Sequence, residues 1–183
     1  MEAKINKSYR TLEIIPMEVR EIEQVLAIAC ESGLSFWSFA DYKKEIDIFD
    51  GFIKVARING ETIGFIVARP SFEEKSNILG NSNESNGNIK DNGGGSEIEL
   101  EIYNIAVKKN FRRKGIGQRL LQNLLSRAVL YRRAVLWLEV RQSNVEAINF
   151  YRANNFKIAL QRKDFYRRPT EDAFVMKLEI GSA

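Results

Sequence analysis

One segment constrains the fold more than any other. Between Tyr103 and Ala128 an apolar strand runs through the basic turn Arg112-Arg113-Lys114-Gly115-Ile116-Gly117 into an amphipathic helix. The helix carries Leu120, Leu121, Leu124, Leu125 and Ala128 on one stripe. The first N–H groups of a helix lack intrahelical acceptors, and the helix dipole favours an anion beside them. The glycines let a ligand approach the backbone, and Arg112, Arg113, Lys114 and Arg119 add positive charge. The segment therefore predicts a phosphate-binding arrangement or, failing that, a basic helix start on a solvated face. It is neither a P-loop nor a Rossmann fingerprint, since the Gly-x-x-x-x-Gly-Lys-Ser/Thr pattern and the third spaced glycine are both missing.

The rest of the chain reads as alternating strands and helices. Tyr9 to Ile15 is β-like and ends at Pro16. Met17 to Cys30 is a helix on Ile22, Val25, Leu26 and Ala29, with Cys30 read as a small buried hydrophobe rather than a nucleophile. Ser38 caps a second helix bearing Phe39, Tyr42 and Ile46. Asn59-Gly60 joins Phe52–Ile58 to Thr62–Val67 as a hairpin, because both turn residues tolerate positive φ. Ile98, Leu100 and Ile102 are apolar at even positions, whereas Tyr103, Ile105 and Val107 are apolar at odd ones. That change of parity predicts a β-bulge near Tyr103-Asn104 or a strand buried on both faces. Ala134–Val140 is an apolar strand. Ser143 and Glu146 are spaced as a capping box, opening a helix through Ala147, Ile148 and Tyr151 that Asn154-Asn155 closes. Lys157–Asp164 and Phe174–Leu178 form a last strand pair. Residues 71–96, dense in Asn, Ser and Gly, are expected to be a mobile low-complexity loop within a single domain of residues 1–183.

Composition narrows the chemistry. There is no histidine, so Ser-His, Cys-His and His-metal mechanisms are excluded. A single cysteine excludes an internal disulfide and a multi-cysteine zinc site, and no metal is expected. The balance of 28 basic against 24 acidic residues gives a net charge of +4, which suits an anionic nucleotide cofactor or RNA. No apolar run reaches the roughly 18 residues of a membrane span, and Met1 to Arg10 has no apolar signal core. A cytoplasmic protein without membrane partners is the expectation.

Arg112-x-x-Gly115-x-Gly117, placed after Ile105-Ala106-Val107, resembles the Gln/Arg-x-x-Gly-x-Gly/Ala signature of the GNAT acetyltransferases. Tyr103-Asn104-Ile105-Ala106-Val107, Leu136-Trp137-Leu138-Glu139-Val140-Arg141 with Ser143-Asn144, and Ala147-Ile148 with Tyr151 and Phe156 resemble, within them, the bacterial ribosomal-protein-alanine N-acetyltransferases. Phe36-Trp37-Ser38 and Glu171-Asp172-Ala173 are weaker matches. The resemblance implies a mixed α/β (α+β) fold: a central, mostly antiparallel sheet with a splayed, bulged strand, flanked by helices. It implies acetyl-CoA as co-substrate, held by Ile105, Ala106 and Val107, by the turn Arg112, Arg113, Lys114, Gly115, Ile116, Gly117 and Gln118, and by Asn144. Asn144 also suits a helix start. Glu139 is implied as general base and Tyr151 as general acid. Trp37, Tyr103 and Tyr166 are implied as acceptor contacts. From the residues alone, Glu139 ends an apolar strand and is expected to be partly desolvated there, or else to pair with Arg141 in solvent. Tyr151 is equally readable as a core aromatic. Arg167-Arg168-Pro169 and Asn154-Asn155 depart from the family pattern.

The activity so implied is acetyl transfer to the α-amine of a protein N-terminus, with the N-terminal alanine of a small-subunit ribosomal protein as acceptor. Other N-termini, lysines or small amines are alternative acceptors. A non-enzymatic RNA-binding module is the reading from a different class, motivated by Arg112–Lys114, Arg132-Arg133 and Arg167-Arg168. It lacks an RNA-reading motif with interleaved aromatics, so nucleic acid is not the expected partner. Glu97, Glu99 and Glu101 share one strand face and either attract a basic peptide or keep that face solvated.

Overall fold

The computed structural model describes residues 11–34, 37–48, 51–71 and 97–181. Apart from Ser71, the expected 71–96 loop lies outside these residues, as do Tyr9 and Phe36. The elements in order are β1 (Leu12–Pro16), a 3-10 turn (Val19–Glu21), α1 (Ile22–Glu31), α2 (Phe39–Ile46), β2 (Phe52–Ile58) and β3 (Glu61–Pro70). After them come β4 (Glu97–Val107), a second 3-10 turn (Lys109–Phe111), α3 (Ile116–Ala128), β5 (Arg133–Arg141), α4 (Val145–Ala153), β6 (Lys157–Arg167) and β7 (Thr170–Gly181). The strands form one seven-stranded sheet, ordered β1-β2-β3-β4-β5-β7-β6. β4 and β5 are parallel, whereas β1 with β2, β5 with β7, and β6 with β7 are antiparallel. This is the mixed, mostly antiparallel sheet with helices that the resemblance implies.

The chain clusters into two compact units, each built from interleaved segments. The first holds residues through Ile48, then Ile53–Ile66 and Ile105–Leu121; the second holds Phe49–Phe52, Val67–Asn104 and Gln122 onward. In the first unit, Ile22, Val25, Ile28 and Ala29 form the buried stripe of α1. Cys30 is exposed, contrary to expectation. A step of about 100° per residue carries it off the face that Ala29 occupies. Ser38 caps α2 as expected, accepting from the Asp41 N–H at 3.3 Å while the Asp41 carboxylate accepts from the Ser38 N–H at 2.7 Å. Tyr42 is fully buried, 5.2 Å from the Trp37 ring and 5.9 Å from the Phe65 ring. Asn59 and Gly60 have φ of 52° and 82°, which is what the two-residue hairpin between β2 and β3 requires.

In the second unit, Leu136, Leu138, Met176, Ile148, Tyr151 and Phe156 are buried. α4 ends in a Schellman motif. The N–H groups of Phe156 and Asn155 donate to the carbonyls of Tyr151 (3.1 Å) and Arg152 (3.0 Å), and Asn155 takes φ 66°. The Phe156 and Tyr151 rings close the motif at 5.5 Å. Asparagine thus performs the helix stop that glycine usually performs. The N-cap is Asn144, whose Oδ1 accepts from the Ala147 N–H at 3.1 Å, and not the expected Ser143–Glu146 box. Ser143 is displaced from that role because its own N–H donates to Glu171 Oε1 at 2.6 Å.

Burial along β4 keeps one phase. Leu100, Ile102, Asn104 and Ala106 are all buried, and on the opposite face Tyr103 is exposed while Ile105 and Val107 are half-buried. The parity change in the sequence is therefore a change of residue type at a fixed face: Asn104 takes a buried position, and apolar side chains also cover the other side.

Candidate active site

In the first unit, the strand end, turn and helix start are tied together by hydrogen bonds. Arg113 and Gly115 have φ of 60° and 78°, so the turn needs two left-handed residues before α3 begins. A Cβ at Gly115 would meet nothing within 4 Å, so the side of the turn it faces is open space. The first helical bond runs from Arg119 N–H to the Gly115 carbonyl at 3.0 Å. The N–H groups of Gly115, Ile116 and Gly117 thus precede the α3 ladder. Behind the turn, Lys108 N–H donates to the Ile63 carbonyl (2.8 Å) and Arg112 Nε donates to the Val107 carbonyl (2.9 Å). The peptide leaving Val107 is therefore held at both ends. Arg112 also donates through Nη2 to Ser32 Oγ at 3.0 Å, and Lys109 N–H donates to Glu31 Oε2 at 2.9 Å. Through Nε and Nη2 the Arg112 guanidinium clamps the strand end to the residue that follows α1. Lys114 reaches back to the Asn110 carbonyl at 2.9 Å and lies 5.3 Å from the Phe111 ring. Gly64 lets the backbones approach closely here, since a Cβ on it would stand 2.9 Å from the Ala106 carbonyl oxygen.

In the second unit, the parallel register of β4 with β5 runs from Glu97↔Arg133 to Ile102↔Leu138 and ends there, while β5 continues to Arg141. Glu139 follows directly after the last pair. Its side chain is only 17% exposed, and Oε1 accepts from Arg162 Nη1 at 2.6 Å. Pairing with Arg141 was the alternative to a partly desolvated Glu139, and the low exposure favours the desolvated reading. Arg141 instead donates to Glu171 Oε2 (3.0 Å), to the Arg168 carbonyl (3.1 Å) and to the Pro169 carbonyl (3.3 Å), and lies 4.1 Å from the centre of the Tyr166 ring. Glu171 is held below the usual carboxylate range by the Ser143 hydrogen bonds first and by Arg141 in addition.

Tyr166 adjoins the Glu139 carboxylate, and Tyr151 adjoins Tyr166. Burial pushes the Tyr151 phenol well above its ordinary value, and the neighbouring Tyr166 adds to the effect. Tyr166 is raised by burial and then by the Glu139 and Glu171 carboxylates, with Arg141 opposing. Both are neutral donors at physiological pH. Glu139, Tyr166 and Tyr151 are therefore within electrostatic reach of one another, two by two along that chain.

Trp37 and Tyr103 are the other expected acceptor contacts. Trp37 packs on Tyr42 in the first unit, and Tyr103 in the second unit is 41% exposed with Arg69 4.9 Å from its ring centre. Of the three glutamates on β4, Glu97 pairs with Arg132, and Glu99 accepts from Trp137 Nε1 at 3.2 Å. Arg162, Glu171 and Ser32 escaped sequence reasoning as members of these networks. Their roles depend on strand register and on the α1 terminus, and neither leaves a local pattern. Among the described residues, no group of three or more His, Cys, Asp or Glu side chains could hold a metal ion, and no helix is long and apolar enough to cross a membrane.

Comparison with known proteins bears on the family and the fold. The sequence pattern of the Acetyltransferase (GNAT) family matches residues 20–156. The ribosomal protein bS18-alanine N-acetyltransferase of Salmonella typhimurium is 41% identical over 87 residues, which is 45% of this chain and 57% of that protein. The match thus spans little more than half the length of that relative. An N-alpha-acetyltransferase of Sulfurisphaera tokodaii is 30% identical over 176 residues, covering 96% of this chain and 95% of that one. Among solved structures, the ribosomal-protein-S18-alanine N-acetyltransferase of Escherichia coli shares the fold with a TM-score of 0.71 at 24% identity, over 94% of this chain and 96% of that one.

Proposed function

The chain belongs to the acetyltransferase (GNAT) family, and we propose that it transfers an acetyl group from acetyl-CoA to the α-amine of a protein N-terminus. The observation that carries the reading is the part-buried Glu139 carboxylate, held by Arg162 at 2.6 Å directly after the β4–β5 register ends, with Tyr166 in electrostatic reach of it and the buried Tyr151 in reach of Tyr166. It supplies one proton acceptor, one half-buried phenol and one buried phenol, and calls on no histidine. The acceptor best supported is the N-terminal alanine of a small-subunit ribosomal protein, because the Salmonella relative is named for that reaction.

The turn fits a pyrophosphate. It is open on the Gly115 side, it leads into the N-terminus of a 13-residue helix, and its leading N–H groups precede the ladder. Gly115, Ile116 and Gly117 would donate to the phosphates, with Arg113, Lys114 and Gln118 around them. Ile105, Ala106 and Val107 would pair with the pantetheine arm. Asn144 would donate to it through Nδ2, since its Oδ1 is engaged in capping. Arg112 would act by holding Val107 in place.

Acetyl-CoA supplies an activated acetyl thioester. Glu139 takes a proton from the acceptor ammonium, whose unperturbed pKa is about 7.7–8.0, and so exposes the nitrogen lone pair. The Val107 N–H donates to the thioester carbonyl oxygen as negative charge grows on it. As the new C–N bond forms and the C–S bond breaks, Tyr151 gives its proton to the departing thiolate, and the second proton that the nitrogen sheds on becoming an amide restores the phenol. Trp37, Tyr103 and Tyr166 contact the acceptor peptide. Attack is direct, within a ternary complex, and Cys30 carries no acyl group. Initial-rate plots should therefore intersect, and Cys30→Ala should keep full activity; parallel plots would point to an acyl-enzyme instead. The substrate reading is tested by offering peptides that begin Ala, Ser, Met-Leu and Met-Glu with acetyl-CoA. Preference for Ala supports it, and an even rate across the panel removes the alanine assignment.

A further inference from the structure

The β6–β7 pairing slips beside the site. Arg162 pairs with Ala173 and Tyr166 with Glu171, so β6 advances four positions where β7 advances two. Without the two extra residues, Asp164 would stand opposite Glu171, placing like charges face to face. With them, Tyr166 takes that place, over Arg141 at 4.1 Å, while Arg162 keeps its hydrogen bond to Glu139 at 2.6 Å.

One side chain holds the slip. Asp172 faces the bulge from β7, and its Oδ1 accepts from the Asp164 N–H at 2.9 Å. Its Oδ2 accepts from Gln161 Nε2 at 2.6 Å. Asp164 is in the left-handed region at φ 52°, a conformation that needs outside support in a residue with a Cβ. The Asp172 carbonyl meanwhile accepts from the Gln142 N–H at 3.1 Å, which fixes Asp172 to the end of β5. The residue therefore ties together the strand that carries Glu139 and the bulge that separates Arg162 from Tyr166.

We propose that Asp172 is a positioning residue for acetyl transfer: by locking the β6 bulge it sets Arg162 on Glu139 and Tyr166 over Arg141. The proposal rests on the function given above. Its partners Gln161, Asp164 and Gln142 include none of the residues assigned to acetyl-CoA, so cofactor binding should be indifferent to it.

The test is Asp172→Ala against Asp172→Asn, with Gln161→Ala as a milder third variant. Asparagine keeps an oxygen for the Asp164 N–H, and the Gln161 amide can turn to accept from its nitrogen. Asp172→Ala should lower kcat/KM for the acceptor peptide by about tenfold or more. Its acetyl-CoA Kd should stay within about twofold of the parent. Asp172→Asn should restore most of the activity, and Gln161→Ala should lose activity in the same direction but less. The ring resonances of Tyr166, read by NMR of labelled tyrosine, should move in Asp172→Ala and return in Asp172→Asn. Unchanged kcat/KM and unchanged Tyr166 resonances in Asp172→Ala would overturn the proposal, as would an equal loss in Asp172→Asn. Should Asp172→Ala not fold, a parent-like Gln161→Ala in both readouts would overturn it. If the parent protein acetylates no N-terminal peptide, the assigned function fails, and the Tyr166 resonances still decide whether Asp172 holds the bulge.

Discussion

Arg162 on β6 donates to the Glu139 carboxylate on β5 at 2.6 Å, reaching across β7, which lies between the two strands. A half-buried carboxylate thus has its charge matched by a side chain that arrives only if β6 is in the right register. Under the proposed mechanism the pair forms the proton-accepting device, and the two residues should then behave as one.

Glu139→Gln and Tyr151→Phe should each lower kcat by roughly 10²-fold if each performs full acid–base work. Arg162→Gln should lower it less, and the double variant Glu139→Gln/Arg162→Gln should be little worse than Glu139→Gln alone. Steady-state rates of the four proteins check this as a double-mutant cycle. Strict additivity would mean that the pair is not coupled in the reaction.

The tyrosines predict how stability falls in alkali. Tyr42, Tyr151 and Tyr166 are all raised in the folded protein, chiefly by burial. The unfolded chain therefore loses these protons first, beginning near the ordinary value of about 10. Their contribution is complete below that pH and is lost as pH climbs through the raised folded values. Urea unfolding between pH 9 and about 11 should show stability declining, and Tyr151→Phe should flatten the decline. A parent and variant with the same slope would show that the buried phenol does not resist ionisation.

Much of the fold was legible in the sequence, because periodicity and turn chemistry are local. Asn59-Gly60 placed the β2–β3 hairpin, Ser38 placed the start of α2, and the leucine stripe placed α3. Cys30 and the α4 cap were misplaced, for two different reasons. Cys30 lies one residue past the buried stripe, where exposure turns on a rotation of about 100°. Ser143 lost the cap because Glu171, 28 residues further on, takes its N–H. The site shows the same division. The turn at Arg112–Gly117 and the carboxylate at Glu139 are visible as motifs, but the commitments of Arg112 to Val107 and of Arg162 to Glu139 follow from tertiary register.

Gly64 should tolerate no side chain. A Cβ there would meet the Ala106 carbonyl oxygen at 2.9 Å, as well as Leu120 Cδ1 and Val107 Cγ2 at 3.3 Å. The nearest of these is backbone and cannot swing aside. Gly64→Ala should cost about 1–3 kcal/mol in denaturant unfolding. Calorimetry should also show weaker acetyl-CoA binding, because the displaced strand end carries Val107. Unchanged stability and affinity would show that the strands can separate freely at this point.

Arg112 and Gly117 should fail in distinguishable ways. Arg112→Lys keeps the charge but cannot make both the Val107 and Ser32 contacts, so acetyl-CoA affinity should drop by about tenfold. That loss is geometric and should not change with added salt. Gly117→Glu puts a side chain and a negative charge at the helix start, and its larger loss should shrink as salt screens the repulsion. Titrations of both variants at low and high salt check the contrast; an Arg112→Lys deficit that salt erases would return Arg112 to the role of a phosphate ligand.

The most direct measurement is where the acetyl group lands. A peptide beginning with alanine, with arginines and one lysine downstream, is incubated with the protein and acetyl-CoA and then fragmented in a mass spectrometer. The expected product is a single acetyl group on the alanine α-amine with the parent protein, formed roughly 10²-fold more slowly with Glu139→Gln. Acetyl transfer to the lysine side chain alone, or an equal rate from Glu139→Gln, would contradict it.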